Sequence, residues 1–330
     1  MATWFTVTVD TEEEWDWASG FPTDKVSVTN IRRLPSFEEL CRRHGVAVTY
    51  FANAAVLQNA ESRKILGELA RCPNVEIGMH IHPWNTPPFH HRGLVSARES
   101  FLHNLPTDLI AAKLDTVYAL FEAEGWRPTS FRGGRYSSGA AVQEFLQEKR
   151  FRADASVVPY TTWPDNGAPD YRNRGLLPVR LPPSRAGEEA LWEIPLTLAF
   201  TRRPFGLWRN CYEHIEHSPL RRLRLIGVAE KLALVRRVWL NFEAPLGEYM
   251  VPFLRRLRGM NLPCICFTLH SSSLMAGGNG YTPTKESEER LFAKLEKVLG
   301  MVASWDDFRP ATVTEVATHL EEQHHARARN

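Results

Sequence analysis

Val75-Glu76-Ile77-Gly78-Met79-His80-Ile81-His82-Pro83-Trp84 is the stretch whose reading decides the fold. It opens as an apolar run with the look of a buried strand and ends in two histidines one residue apart. If the strand period of two holds to the end, His80 and His82 leave the backbone on the same side. Two imidazoles on one side can share a cation when a third ligand arrives from elsewhere. Pro83 lacks an N–H, so it ends the ladder and turns the chain into a loop. Spacing alone does not establish a metal site. The chain has twelve histidines, and His90-His91 and His324-His325 are further close pairs. The case depends on what surrounds the stretch.

Immediately before it, Val46-Ala47-Val48-Thr49-Tyr50-Phe51 reads as a strand and residues 60–70 as a helix. Before those, residues 30–44 read as an amphipathic helix closed by Gly45, and residues 3–9 as an aromatic and β-branched strand. The result is a β-α-β-α-β alternation, which argues for parallel strands with helices outside. The first strand delivers Asp10-Thr11-Glu12-Glu13-Glu14-Trp15-Asp16-Trp17, five carboxylates within seven positions. Such a cluster is costly unless a cation or solvent receives it. A solvated acidic loop suits Glu14 and Asp16; it suits Asp10 and Glu12 less well, because they stand nearest the strand end, where α/β folds place their chemistry.

Downstream, a Pro-rich loop (Pro83, Pro87, Pro88) precedes a helix over 107–124 that ends at Gly125. Thr129-Ser130-Phe131 then leads into Arg132-Gly133-Gly134-Arg135-Tyr136, where paired glycines permit close backbone approach and an arginine can hold a carboxylate. A helix over 140–149 follows, then Phe151 to Val157. Residues 158–190 have no apolar period and read as a long surface insertion. Leu191-Trp192-Glu193-Ile194-Pro195 is a further short strand. Residues 220–240 set six basic side chains among leucines and valines and read as one or two amphipathic helices, with a packed helix bearing a solvated basic face preferred to membrane docking. Cys264 to Leu269 is a buried strand ending in His270. A helix over about 284–300 follows, and the residues from Glu321 onward are polar and expected to fray. With no internal repeat and no clean linker, a single catalytic domain over 1–330 is expected, with insertions at about 158–190 and 205–245.

Composition sets the class. The 330 residues carry 43% hydrophobic and 24% charged side chains, ordinary for a soluble enzyme, and a formal net charge of +2 gives no reason to expect nucleic acid. The N-terminus shows no signal-peptide pattern, and no apolar run approaches the roughly 20 residues of a membrane span. Five cysteines fit no zinc-ribbon or thioredoxin spacing, so reduced thiols and a cytoplasmic location are expected.

Four strand ends thus carry the chemically useful residues: Asp10/Glu12, His80/His82, Arg132 and His270. Their order and spacing resemble the polysaccharide deacetylases of the NodB-homology superfamily (carbohydrate esterase family 4), and most of all its cytoplasmic branch linked to cell-surface glycan biosynthesis. The resemblance spans about residues 3–320. It implies an α/β fold, an irregular (β/α) barrel with fewer than eight strands, with the motifs at one rim. It also implies roles: Asp10 as general base, Glu12 with His80 and His82 as ligands of one divalent metal ion (Zn2+ the expected one), and Arg132 steadying the base. His270 would be the general acid, oriented by Asp154. Arg135, Tyr136, Trp84 and Trp192 are expected at the substrate, and backbone N–H groups near Arg135 and Tyr136 could complete an oxyanion hole. Two departures stand out. Thr11 separates the first-motif acids, the second of which is a glutamate, so either Asp10 or Glu12 could hold the metal. The motif histidines are two apart rather than four.

The implied reaction is removal of an N-acyl group, acetyl or formyl, from a lipid- or nucleotide-linked amino sugar. A cation on two imidazoles and a carboxylate lowers the pKa of bound water to about 7 and polarises an acyl oxygen. Weak peripheral membrane contact through residues 220–240 would suit a lipid-linked substrate. The competing readings are a metal-free amidohydrolase acting on a cyclic amide and a barrel that binds glycan without hydrolysing it. Retention of Asp10, Arg132 and His270 argues against the last.

Overall fold

The computed structural model describes residues 2–15, 20–24, 26–89, 93–162, 166–183, 189–243 and 249–329. In chain order the first elements are β1 (Thr3–Thr11), β2 (Phe21–Pro22), α1 (Leu34–Arg43), β3 (Val48–Ala52), α2 (Ala54–Gln58), α3 (Ala60–Leu69) and β4 (Val75–Ile81). They are followed by β5 (Leu94–Val95), α4 (Thr107–Ala123), β6 (Ser130–Gly133), α5 (Ala140–Glu148), β7 (Ala153–Asp154), β8 (Val179–Leu181), β9 (Leu191–Glu193) and β10 (Leu198–Phe200). Last come α6 (Phe205–Glu216), α7 (Leu225–Lys231), β11 (Arg237–Trp239), α8 (Met250–Arg258), β12 (Cys264–His270), α9 (Lys285–Ala303), β13 (Phe308–Pro310) and α10 (Val313–Ala328).

The main sheet runs β12-β1-β3-β4-β6-β7-β9-β8, with β13 also on β1, and every pair but β8–β9 is parallel. Its central strands are Val-, Ile- and Phe-rich because helices cover one face and the barrel interior the other. Val7, Val9, Tyr50, Phe131, Ile265 and Phe267 are all fully buried. The sheet curls on itself. Past β9, Leu196 N donates to Val157 O and Thr197 N to Cys266 O, so the chain after β9 lies against the free edge of β12. Leu240 and Phe242 reinforce that closure through Thr268. The fold is the irregular α/β barrel expected, with β1, β3, β4, β6, β7, β9 and β12 parallel around it and β13 added in parallel on β1.

Four readings change. The end of the basic stretch, Arg237–Trp239, is a strand paired with Leu198–Phe200, not helix. The insertion at 158–190 is not purely superficial: Val158 is buried, and the Tyr171 hydroxyl donates to Tyr136 O. Glu14 is only partly solvated, its carboxylate accepting from the backbone and side chain of Asn30; Asp16 lies outside the described residues. The C-terminal helix continues to Ala328, and Glu321 anchors it by accepting from Arg180 and from Trp192 Nε1.

Candidate active site

Parallel register gathers the motif residues at the ends of their strands. Asp10 stands beside His270 across β1–β12, and His80 beside Arg132 across β4–β6. Glu12, two residues past Asp10, reaches the histidine pair: its Oε2 lies 3.3 Å from His80 Nε2 and 2.9 Å from His82 Nε2. The two Nε2 atoms are 3.1 Å apart, and all three residues are buried.

Both rings are set from behind. His80 Nδ1 lies 2.8 Å from the Arg132 carbonyl, which can only accept, so the proton sits on Nδ1 and the Nε2 lone pair faces inward. His82 Nδ1 lies 2.8 Å from Glu13 Oε1, which also receives Asn85 Nδ2, while Asn53 Nδ2 donates to the other carboxylate oxygen, Oε2. Trp84 stacks on His82 with centroids 4.1 Å apart, backed by Trp15 at 4.8 Å from Trp84.

This donor set fits a divalent cation. Tetrahedral ligands at roughly 2.0–2.1 Å from zinc stand about 3.3 Å from one another, and the observed separations are near that value. The electrostatics agree. Burial would lower His82, but Glu13 and Glu12 outweigh it and push it up to about 10. Burial likewise raises Glu12, yet His82, His270 and His80 hold it well below the usual carboxylate range. The pocket favours positive charge at its centre.

Asp10 is engaged differently. Its Oδ1 accepts from Arg132 Nη1 at 2.8 Å, and its Oδ2 lies 4.0 Å from His270 Nε2. Arg132 is fully buried, donates also to Thr8, Thr268 and Ala155 O, and sits over the Phe51 ring at 4.7 Å. Of the two first-motif acids, Glu12 is therefore the one within reach of both imidazoles, and Asp10 the one paired with arginine.

The expected partner of His270 is replaced. Asp154 accepts from Ser138 Oγ, Ser156 Oγ and Ser156 N, and these serines fill its acceptor sites. Ser156 Oγ also receives Gly133 N, so Asp154 braces the loop after β6. His270 Nδ1 is instead 2.8 Å from Glu243 Oε2, and Glu243 Oε1 accepts His270 N and the Ser273 hydroxyl. The reason lies in the barrel closure, where Phe242 N donates to Thr268 O and brings residues 241–243 alongside β12. Burial pulls His270 down, but Glu243, then Glu12 and Asp10, push it up to about 10.

The loop after β6 is built on close approach. A Cβ on Gly133 would lie 1.8 Å from Ser137 O, and one on Gly134 would lie 2.5 Å from His82 Cδ2 and 2.4 Å from Ile81 O. Here the glycines admit protein backbone and the His82 ring rather than substrate. Arg135 and Tyr136 follow with φ of 52° and 60°, a left-handed pair that turns both side chains to a cavity of about 120 Å³. Asp10, Glu12 and His270 line one side of this cavity, and Tyr136, Trp239 and Tyr281 give it aromatic walls. Tyr136 and Trp239 meet edge to face at 5.6 Å.

Two expected substrate contacts lie elsewhere. Trp84 is 1% exposed and forms the wall behind His82, so it cannot meet a substrate. Trp192 packs with Cys264, where β12 begins, and with α10; this is the barrel end opposite the histidines. Arg135 and Tyr136 do line the cavity. Sequence reasoning missed Glu13, Glu243, Trp239 and Asn241. Val238-Trp239-Leu240 followed by Asn241-Phe242-Glu243 has the same form as the other strand ends, an apolar run delivering polar groups, and could have been read so. Glu13 gave no such signal, because alternation along the strand favours Glu12.

No protein-family profile matches the chain, and no curated protein does. Solved structures do. A candidate polysaccharide deacetylase from Mycobacterium smegmatis superposes with a TM-score of 0.56 at 14% identity, covering 98% of this chain and 91% of the other. A candidate polysaccharide deacetylase from Pseudomonas aeruginosa PAO1 gives 0.53 at 15% identity, with 98% and 91% covered. A 4-alpha-glucanotransferase from Thermococcus litoralis gives 0.51 at 10% identity, with 96% of this chain but 40% of that one covered. The chain shares the fold of these polysaccharide deacetylases. Since a fold hosts more than one chemistry, the activity has to be argued from the side chains.

Proposed function

We propose that the protein is a metal-dependent hydrolase that removes an N-acyl group, acetyl or formyl, from an amino sugar of a cell-surface glycan precursor. The observation that carries this reading is the juxtaposition at one rim of a Glu12-His80-His82 donor set with an Asp10–His270 pair held 4.0 Å apart. Amide hydrolysis needs a proton acceptor for water and a proton donor for the departing amine, and this pair supplies one of each.

Glu12, His80 and His82 would hold the cation. Zinc suits this nitrogen–oxygen set, and when bound it supplies Lewis acidity toward water and the acyl oxygen. The remaining steps belong to the chain. Asp10, fixed by Arg132, takes a proton from the attacking water as its oxygen bonds to the acyl carbon. His270 Nε2 delivers a proton to the amine nitrogen as the C–N bond breaks, leaving a carboxylic acid and a free amino sugar. Trp239, Tyr136 and Tyr281 offer faces and edges for a sugar ring in a cavity whose size suits one acylamino group rather than a long chain.

Glu243 orients His270 and keeps it protonated. Because the folded value of His270 stands above the ordinary 6.5, the proton is retained through neutral pH and released only toward about pH 10. The associated stabilisation is full below pH 6.5 and is lost as pH rises through about 10. In Glu243→Gln the largest opposing charge to burial is gone, so the alkaline limb of kcat is expected to move to lower pH. A pH–rate profile with an unmoved limb would remove Glu243 from this role.

The functional reading is tested by incubating the zinc-loaded protein with N-acetyl and N-formyl amino sugars, free, nucleotide-linked and lipid-linked, and assaying released acetate or formate. Chelator-sensitive release supports it. Turnover of cyclic amides by chelator-treated protein would favour the metal-free amidohydrolase instead. Ligand binding without turnover across the panel would favour a binding barrel.

A further inference from the structure

Between α6 and β11 the chain crosses from Pro219 to Leu234 without burying a single residue. Of the thirteen large hydrophobic residues exposed among the described residues, six lie here: Leu220, Leu223, Leu225, Val228, Leu232 and Leu234. Within α7, Ile226 and Ala229 face inward against Phe200 and Tyr212. Leu225, Val228 and Leu232 recur at intervals of three and four, one stripe over, and are exposed. A helix packed on a barrel ordinarily turns a polar face outward; this one carries a second apolar stripe there.

The charge around that stripe has one sign. Arg221, Arg222, Arg224 and Lys231 are exposed and have no carboxylate within 4.0 Å among the described residues. Exposed arginines on the rest of the surface commonly have one, as in Arg32–Glu61, Arg42–Glu39 and Arg258–Asp307. Glu230, the one acid of the segment, is half-buried and sits in the field of Arg237 and Arg236. Protein interfaces deplete charge from an apolar centre, whereas unpaired cations interleaved with leucines suit a surface offering phosphates above hydrocarbon.

We infer that the Pro219–Leu234 segment is a docking surface for an anionic lipid bilayer. The leucines enter the headgroup boundary and the four cations meet lipid phosphates. The segment leads in sequence toward the cleft: Trp239, five positions after Leu234, lines the cavity, and its indole Nε1 has no acceptor among the described residues. Docking would bring the chain that leads into the cleft to the membrane, where a lipid-linked glycan is presented. That last consequence depends on the hydrolase reading above; docking itself does not.

Co-sedimentation tests it with the whole chain, using phosphatidylcholine vesicles with and without phosphatidylglycerol, at low and high salt. The protein is expected to pellet only with the anionic vesicles, and to be released by salt. Arg221→Gln with Arg222→Gln should lower partitioning roughly 10–30-fold. Val228→Gln with Leu232→Gln should lower it by at least roughly 10-fold, with thermal melting unchanged because both positions are exposed. His80→Ala should pellet like the parent, which separates failure of docking from failure of the catalytic reading. Absence of wild-type binding to anionic vesicles at low salt would overturn the inference, as would binding indifferent to both double substitutions. So would a self-associated species in sedimentation velocity that the same substitutions dissociate, for then the stripe would be covered by a second copy.

Discussion

Alanine at His80 or His82 is expected to remove bound metal and activity together. The donor set has three protein ligands, so losing one imidazole leaves a carboxylate and a single nitrogen, too few for a zinc-like site. Lewis-acid stabilisation is worth several kcal/mol in the transition state, so kcat/KM should fall by about 10³-fold or more. Elemental analysis after dialysis reads the metal directly. The surroundings grade the effect. Glu13→Gln keeps all three ligands but weakens the acceptor behind His82, and such changes cost about 10–100-fold in metal affinity. Glu12→Gln should behave like the histidine variants, whereas Asp10→Asn should retain metal. If Asp10→Asn emptied the site and Glu12→Gln did not, the ligand assignment would be reversed.

The second large effect is on turnover with metal still in place. Asp10→Asn and His270→Ala are each expected to lower kcat by about 10²–10⁴-fold, the scale of a general base or acid. Asp10→Asn carries a structural cost besides, because it leaves the fully buried Arg132 guanidinium without its carboxylate. Breaking a buried pair by removing one partner costs about 3–5 kcal/mol, so this variant should also melt earlier. His270→Ala likewise leaves a buried carboxylate, Glu243, without its cationic partner, so it too should melt earlier. Near-normal kcat in a folded, metal-loaded His270→Ala protein would falsify the acid assignment.

Legibility in the sequence followed local pattern. The alternation from β1 to β4 is visible because each strand is a β-branched run and each helix an amphipathic one, and register then fixes Asp10 beside His270. His80 and His82 could be placed on one side from the strand period alone. The orienting group of His270 could not be read this way, because Glu243 reaches it through the irregular closure past β11, where hydrogen bonds from single residues replace a ladder. Trp84 and Trp192 show the same limit from the other side. Nearness to a motif in sequence does not say which end of a barrel an aromatic ring packs toward, and Trp192 is claimed by Glu321 on a helix nearly 130 positions later.

β1 lies between β3 and β12 in the sheet, so its partner on one edge, β12, is made only near the end of the chain, and β13 joins β1 later still. During synthesis at about 5–20 residues per second, β1 waits roughly 10–50 s for Cys264–His270 to emerge. For that interval one edge of a nine-residue buried strand has no mate, the condition under which strands recruit the wrong neighbour. The arrangement that sets the proposed base and acid side by side therefore makes the pair late: any chain stopped short of residue 264 holds Asp10 and Arg132 but neither His270 nor the strand that shields them. The proposed catalytic pair matures only when β12 joins β1.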